Sequence, residues 1–168
     1  MKNIAIIAFG LFILGACSSA DKTSKFRLEN IEFIYNGPLY EGSNAAQYIA
    51  KIDLKEILGS DYEEGVEIDE AALKKAYVEI GEPQGCKDIS AFVLSLAADN
   101  PDLEMRELAV VNPIKSFGGK IKLKPSTSAD ATAYFAEKSV YVVLDASFVN
   151  DIDANVLVKG TFEFELKY

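Results

Sequence analysis

VLVKGTFEFELKY, residues 156–168, alternates apolar and polar side chains along nearly its whole length. The even-numbered positions are apolar with Gly160 among them, and Leu157 is the one apolar residue at an odd-numbered position. A period of two is typical of a strand with one buried face and one solvent-facing face. The stretch therefore predicts a long antiparallel strand whose even-numbered side chains enter a core.

The residues before this stretch repeat the pattern. Positions 140, 142, 144, 146 and 148 are all apolar and form a second alternating face. A link rich in Asn and Asp, residues 150–155, joins the two stretches, and these residue types favour turns. The pair predicts a long β-hairpin.

Shorter alternating stretches occupy residues 26–28, 31–35, 48–54, 92–96, 108–110 and 121–123. The alternation changes from even to odd positions at Glu29-Asn30, which predicts a β-bulge. Residues 70–74 favour one helical turn with Asp69 as its N-cap, and this turn is expected to lead into a strand that ends at Gly81. The whole pattern predicts an all-β fold, an antiparallel β-sandwich of about eight strands with at most one short helix.

Composition narrows the possible functions. The 168 residues carry 26 acidic and 17 basic side chains, a formal net charge of −9, which makes nucleic acid a poor partner. The sequence has no histidine, so it lacks Ser-His-Asp and Cys-His nucleophile systems and the commonest general base at neutral pH. It also has no P-loop or dinucleotide fingerprint. We therefore expect a protein that is not an enzyme and takes no cofactor.

The N-terminal residues have the form of a targeting segment. Lys2 precedes an apolar run, Ile4–Leu14, which is too short to span a bilayer. The run ends at Leu14-Gly15-Ala16-Cys17, and these four residues resemble the lipobox of bacterial lipoproteins.

This resemblance implies cleavage before Cys17, a thioether-linked diacylglycerol on its sulfur and acylation of its amine, which together anchor the chain stably. Ser18 resembles the residue that follows the cysteine in lipoproteins of the outer membrane; the face of that membrane stays open. The expected organisation is a signal peptide over residues 1–16, a lipidated cysteine with a flexible tether over 17–25, and one β-sandwich domain over 26–168.

Cys86 is the only cysteine that remains beside Cys17 after such processing, so the sequence predicts no internal disulfide. A buried small apolar residue is the favoured interpretation of Cys86, and an intermolecular or reactive thiol is the other.

Two acidic segments are candidate cation sites. The stretch from Asp61 to Glu70 has no fixed ligand spacing, and Asp151-x-Asp153-x-Asn155 opens like an EF-hand loop but lacks its glycine and glutamate. Both are better explained as solvated loops, and we expect no metal site.

Tyrosines supply the candidate binding residues. Tyr35, Tyr40 and Tyr48 lie near predicted strand ends and outward faces, and exposed tyrosines are frequent in recognition surfaces. The alternative is that these tyrosines pack at the edge of the hydrophobic core, with the ring buried and the hydroxyl group in contact with water. The loop 37–44 is the segment that we most expect to have a role in binding.

These observations predict a lipid-anchored binding or structural module of the cell envelope, attached to the membrane and partnered by a glycan, a peptide or another envelope protein. Two alternatives remain at this stage: a calycin-like barrel carrying an apolar ligand, and a small integral outer-membrane β-barrel.

Overall fold

Nine strands and one α-helix form the part of the chain that the structure, a computed structural model, describes: residues 22–81, 87–116, 119–127 and 129–168. The helix α1 spans Leu54–Leu58, and short 3-10 turns span Gly59–Asp61 and Thr132–Ala136. The strands are β1 (Thr23–Tyr35), β2 (Gly42–Lys51), β3 (Glu70–Ile80), β4 (Ile89–Ala97), β5 (Arg106–Val111), β6 (Ile121–Lys122), β7 (Lys124–Pro125), β8 (Ser139–Phe148) and β9 (Val156–Lys167).

The strands form two sheets that pack face to face. Sheet A has the order β1-β9-β3-β6 and sheet B the order β2-β8-β4-β5-β7, with antiparallel pairing throughout. The predicted β-sandwich is confirmed. Within the described ranges the two sheets do not close into one barrel, so the barrel architecture of both alternatives, the calycin-like barrel and the integral barrel, is wrong.

The alternating stretch at the C-terminus forms the central strand β9, as predicted. Its partners are β1 on one side and β3 on the other. Phe162, Phe164 and Leu166 are fully or almost fully buried against sheet B, and their burial is a main source of the core's stability.

The predicted hairpin between the last two strands is wrong. β8 pairs with β2 and β4 in sheet B, whereas β9 pairs with β1 and β3 in sheet A. Residues 149–155 therefore carry the chain from one sheet to the other. The reason is that alternation specifies which face of a strand is buried and leaves its pairing partner open.

The bulge predicted at Glu29-Asn30 is confirmed. The register of β1 against β9 shifts between Leu28 and Ile31, and Asn30 has a φ of 54°. Asparagine tolerates this left-handed conformation better than most residues. The bulge keeps the apolar residues on both sides of it facing the core.

The predicted helical turn at residues 70–74 is wrong, because Glu70–Ile80 is a continuous strand whose Ala71, Leu73, Ala76 and Val78 are buried. Pairing with β9 along this length outweighs the local capping signal of Asp69.

The α-helix lies elsewhere, directly after β2. Residues 48–54 were expected to continue as a strand, but the carboxylate of Asp53 accepts hydrogen bonds from the backbone N–H groups of Lys55 (3.0 Å) and Glu56 (3.2 Å). These bonds satisfy donors of the first helical turn, so β2 ends at Lys51 and α1 begins at Leu54.

The outer faces of the two sheets differ in charge. Among the described residues every ion pair involves a residue of sheet A, of the segment beside β6 or Lys22, and none lies on a strand of sheet B. Glu163 is the centre of the largest group, with Arg27, Lys25 and Lys75 around it. Its partial burial raises its pKa, but hydrogen bonds from Lys75 and Arg27 and the nearby cationic charge outweigh burial and lower that pKa.

Two of the predictions from the sequence concern residues outside the described ranges. Residues 1–21 include the predicted signal peptide and Cys17, and residues 82–86 include Cys86. Within the described part of the chain, no helix has the length and apolarity needed to cross a bilayer.

Candidate functional site

A cleft of about 470 Å³ follows the seam where the edge strands of the two sheets meet. β1 is the edge of sheet A and β2 is the edge of sheet B. The two strands approach each other without a backbone ladder, and α1 lies at one end of the opening. We call this opening the seam cleft; its lining residues come from segments 25–28, 48–51, 53 and 56–57.

The floor of the seam cleft is apolar. Phe26 and Leu28 of β1 face Ala50 of β2, and the ring of Phe26 packs edge-on against Phe135 at a centroid distance of 5.6 Å. The enclosed space behind Phe26 and Leu28 has a volume of about 10 Å³. That is about the minimum a single water molecule occupies, so this space cannot hold the apolar ligand of the calycin-like alternative.

Tyr48 is placed over this floor by the geometry of the edge strand. It has the same strand phase as Ala46 and Ala50, which are buried, yet 36% of Tyr48 remains exposed. An inward-pointing side chain on a central strand is covered by the facing sheet and flanked by side chains of the strands on both of its sides. Because β2 has no further neighbour, the ring of Tyr48 lies at the mouth of the cleft.

Charged side chains of both signs surround the opening. Arg27 and Lys51 lie on the two edge strands, and Asp53 and Glu56 lie at the start of α1. The Nε atom of Arg27 donates to Glu163 at 2.8 Å, which fixes the position of the guanidinium group. Arg27 shares Glu163 with Lys25 and Lys75 on the outer face of sheet A, so it lies at the rim of the opening and not on its floor.

The helix that closes the cleft is attached to β1. The Ser24 hydroxyl donates to the carbonyl of Ile57 at 3.2 Å. Together with the Asp53 cap, this bond holds α1 against the edge of sheet A. The cleft is therefore built largely before a ligand arrives, which lowers the entropic cost of binding.

The three predicted binding tyrosines are not brought together. Tyr48 lines the seam cleft, whereas Tyr40 is 65% exposed in the loop before β2. Gly42, where β2 begins, lies about 20 Å from Tyr48 at the usual rise of an extended strand. Whether Tyr40 or Tyr48 binds a ligand stays a prediction.

Tyr35 does not lie on an outward face, contrary to its predicted position. It is only 2% exposed, and its hydroxyl donates to the carbonyl of Leu144 at 2.8 Å. The ring packs edge-on against Phe148 at 6.0 Å. Burial raises the pKa of Tyr35 far above its ordinary value, with a smaller contribution from the charge of Asp145. The hydroxyl therefore connects the two sheets and is not accessible to a ligand.

The Asp151–Asn155 segment stabilises a neighbouring loop. The Asp151 carboxylate accepts from the backbone N–H of Glu41 at 2.8 Å, and the Asn155 side-chain carbonyl accepts from Gly37 at 2.9 Å. Within the described residues no group of three or more acidic or thiol side chains gathers as a metal site. The segment therefore holds the loop that carries Tyr40 in place through these hydrogen bonds.

The sequence interpretation missed Phe26, Leu28 and Arg27 as site residues. The alternation of β1 and β2 is predicted correctly from the sequence. It does not reveal that both are edge strands, and this edge position is what exposes the side of each strand at the seam. One usable signal was present: Ala46 and Ala50 are small residues on either side of Tyr48. Small neighbours on the same face leave an aromatic ring room to lie across a surface.

No protein family and no curated protein sequence matches the chain. Solved structures give remote likenesses. A chain from a study of the promiscuous specificity of carbohydrate-binding modules of the β-sandwich superfamily is 11% identical, with a TM-score of 0.38 over 81% of this chain. That match covers 54% of the other chain, so this protein spans about half of its length.

Two viral chains are also similar at this remote level. The chain from Desmodium yellow mottle tymovirus has a TM-score of 0.32 at 11% identity and covers 99% of this protein and 94% of its own length. The chain from the empty head of turnip yellow mosaic virus has a TM-score of 0.25 at 10% identity, covering 98% and 89% respectively.

Proposed function

We propose that this protein is a lipid-anchored, non-enzymatic binding module of the bacterial cell envelope, attached to the outer membrane, with the seam cleft as its ligand site. The ligand class that fits best is an envelope glycan. The position of Tyr48, half-exposed over an apolar floor, carries this proposal.

The chemistry of the cleft supports a glycan. A sugar ring presents C–H groups on its faces and hydroxyl groups around its edge. The ring of Tyr48 and the side chain of Phe26 offer apolar surface to such a face, while Arg27, Asp53 and Glu56 are hydrogen-bonding groups at the periphery. Ligand sites of this kind combine apolar lining with a few placed polar groups.

The proposal of a non-enzymatic role rests on the sequence, which has no histidine. In the cleft, Asp53 is already engaged as the cap of α1. A carboxylate that serves as a helix cap is constrained in position and less suited to accept a substrate proton.

Replacing Tyr48 with alanine is expected to weaken ligand binding at least 30-fold, since truncating an aromatic hot-spot residue commonly costs about 2 kcal/mol or more. The measurement is isothermal titration of the purified chain with soluble muropeptides and a panel of purified bacterial polysaccharides. The ligand found with the unmodified chain is then titrated into the variant.

Tyr62→Ala is the matched control. Tyr62 is 37% exposed, almost the same fraction as Tyr48, but it does not line the seam cleft. We expect this variant to bind like the unmodified chain. A ligand that both variants bind normally would place the site elsewhere, and binding only to peptides would replace the glycan with a peptide ligand.

The anchoring part of the proposal rests on the Leu14-Gly15-Ala16-Cys17 motif. Cys17→Ala is expected to abolish acylation and to move the protein from the membrane fraction to the soluble fraction, because the acyl chains supply most of the membrane affinity. Intact mass spectrometry and fractionation of bacteria expressing each form are the measurements. An unmodified chain without acyl mass would overturn the anchor and leave the cleft hypothesis standing.

A further inference from the structure

The edge of the sandwich opposite the seam cleft carries a concentration of positive charge. Residues 112–129 contain four lysines and no acidic residue. The whole chain has 17 basic and 26 acidic residues, so the remainder has 17 − 4 = 13 bases against all 26 acids. Four cations in one short segment of such an acidic protein need an explanation.

The lysines line a groove of about 550 Å³. One wall is the segment 110–116, which carries Lys115, and the other is the segment 120–124, which carries Lys120, Lys122 and Lys124. We call this the lysine groove. Its apolar lining comes from Val110, Val111, Ile114 and Ile121.

The segment 120–124 is held by both sheets. β6 pairs with β3, β7 pairs with β5, and the backbone N–H of Leu123 between them donates to Ala76 at 3.0 Å. Ile121 and Leu123 are buried, whereas the three lysines of this segment are exposed. Alternation in an extended chain places these lysines on one side, in a row with a spacing of about 7 Å.

Most of this charge is not neutralised within the described part of the chain. Lys120 lies 3.9 Å from Glu79 in an exposed pair. No described acidic side chain lies within 4.0 Å of the ammonium groups of Lys115, Lys122 or Lys124. On the outer face of sheet A, by contrast, Lys25, Lys74, Lys75 and Lys159 all have acidic partners. Like charges held in a row repel each other, and an anionic ligand relieves this repulsion.

The arrangement favours an extended anion over a compact one. A single phosphate or sulfate is bound best by donors that converge on one point. A row with a regular spacing instead matches a linear polymer that repeats its charge along an extended backbone. The apolar lining of the groove offers contact to the non-polar faces of such a polymer.

The position of the groove argues against the protein's own membrane as the partner. In the anchored protein proposed above, the tether enters at Lys22, which lies 3.8 Å from Asp61 and 3.9 Å from Glu63. That end of the sandwich is acidic. β6 pairs with β3 at Tyr77, about 23 Å along the strand from Glu70. Glu70 pairs with Lys167 of β9, which also pairs with Thr23 at the start of β1. The lysine groove therefore lies far from the acidic end of the domain at which the tether enters.

We propose that the lysine groove binds a linear polyanionic glycan through its carboxylate or sulfate groups. This site is separate from the seam cleft, on the opposite edge of the sandwich. Both sites belong to one domain, so the protein has one surface for each of two envelope components.

The test uses the purified full chain with polygalacturonate as the carboxylate probe, dextran sulfate as the sulfate probe and neutral dextran as the blank. We expect binding of at least one polyanion at low salt, no binding of neutral dextran, and loss of most affinity at about 0.5 M NaCl because electrostatic contacts are screened. The variant Lys120→Gln/Lys122→Gln/Lys124→Gln is expected to bind at least tenfold more weakly.

The matched control is Lys74→Gln/Lys75→Gln/Lys159→Gln, which removes the same net charge from lysines that have acidic partners and do not line the seam cleft. It is expected to bind the polyanion like the unmodified chain. Equal losses in both triple variants would mean that net charge alone is responsible and would overturn the site. Lys115→Gln, in the facing wall, gives a second test with no substitution in a strand, and an unchanged affinity there would also contradict the groove.

Vesicles of phosphatidylglycerol and phosphatidylcholine complete the comparison. Lysine-dependent binding to these vesicles without binding to either polysaccharide would replace the glycan with an anionic membrane and overturn the proposal. Tyr48→Ala is expected to leave polyanion binding unchanged, so failure of one site is distinguishable from failure of the other.

Discussion

Replacing Gly160 with valine is expected to lower the free energy of unfolding by about 3 kcal/mol. This is a large fraction of the total free energy of unfolding of a typical domain. Gly160 lies in the middle of β9, between Ile31 of β1 and Val78 of β3. A Cβ atom at this position would lie 2.7 Å from the ring of Phe162 and 2.8 Å from the ring of Phe33.

Two effects oppose each other at this position. Valine has a higher preference for extended backbone than glycine. This preference stabilises a strand by up to about 1 kcal/mol where the side chain has space. Here there is none, because Phe33 and Phe162 are completely buried and pack edge-on at 6.2 Å directly over the glycine. Displacing the two core rings costs more free energy than the strand preference of valine contributes, so the net effect is destabilising.

Urea denaturation followed by circular dichroism measures the change. Gly81→Ala is the control, since a Cβ atom there would lie 3.3 Å from the carbonyl oxygen of Leu157 at an exposed position, and its cost is expected to stay below about 1 kcal/mol. The double variant Gly160→Val/Phe162→Leu is expected to be more stable than the sum of the two single changes predicts. Strict additivity would contradict a clash with this ring.

The strand pattern of this protein was readable from its sequence because the sandwich buries one face of nearly every strand. β9 and the bulge at Asn30 follow directly from a period-two pattern and its change of phase. The pairing of β8 and β9 was not readable, since both strands are central in different sheets and carry the same pattern. Local alternation contains no information on which sheet a strand joins.

The candidate site was readable only in part for a related reason. Tyr48 was singled out by residue type, but its role depends on β2 being an edge strand, which is a property of the topology. Tyr35 was misplaced because tyrosine has an apolar ring and a polar hydroxyl, so it fits a core with a hydrogen-bond acceptor as well as a surface. The carbonyl of Leu144, distant in sequence, is what places Tyr35 inside.

The lysine groove is the opposite case. Its lysines are visible in the sequence, and the structure shows how they are arranged in space. Lysines flanking Ile121 and Leu123 are visible as an alternating segment. The structure adds that β6 and β7 belong to different sheets. A segment shared by two sheets is held straight at the edge, which keeps the row of charges regular.

Replacing Tyr35 with alanine is expected to lower the free energy of unfolding by about 3 to 5 kcal/mol, the range for truncating a buried aromatic residue. Tyr35→Phe is expected to cost about 1 kcal/mol, because it keeps the ring against Phe148 and removes only the hydrogen bond to Leu144. Urea denaturation of both variants separates the contribution of the ring from that of the hydroxyl.

The same pair of variants decides what Tyr35 does. Because its hydroxyl lies between β1 of sheet A and β8 of sheet B, Tyr35→Phe should weaken the fold and leave both the Tyr48-dependent ligand and the polyanion bound with unchanged affinity. Tyr48→Ala should do the reverse, reducing ligand affinity with little change in the urea midpoint, since its side chain is half-exposed. A Tyr35→Phe variant that keeps full stability and loses ligand affinity would show that Tyr35 takes part in binding and that the hydroxyl does not stabilise the contact between the sheets.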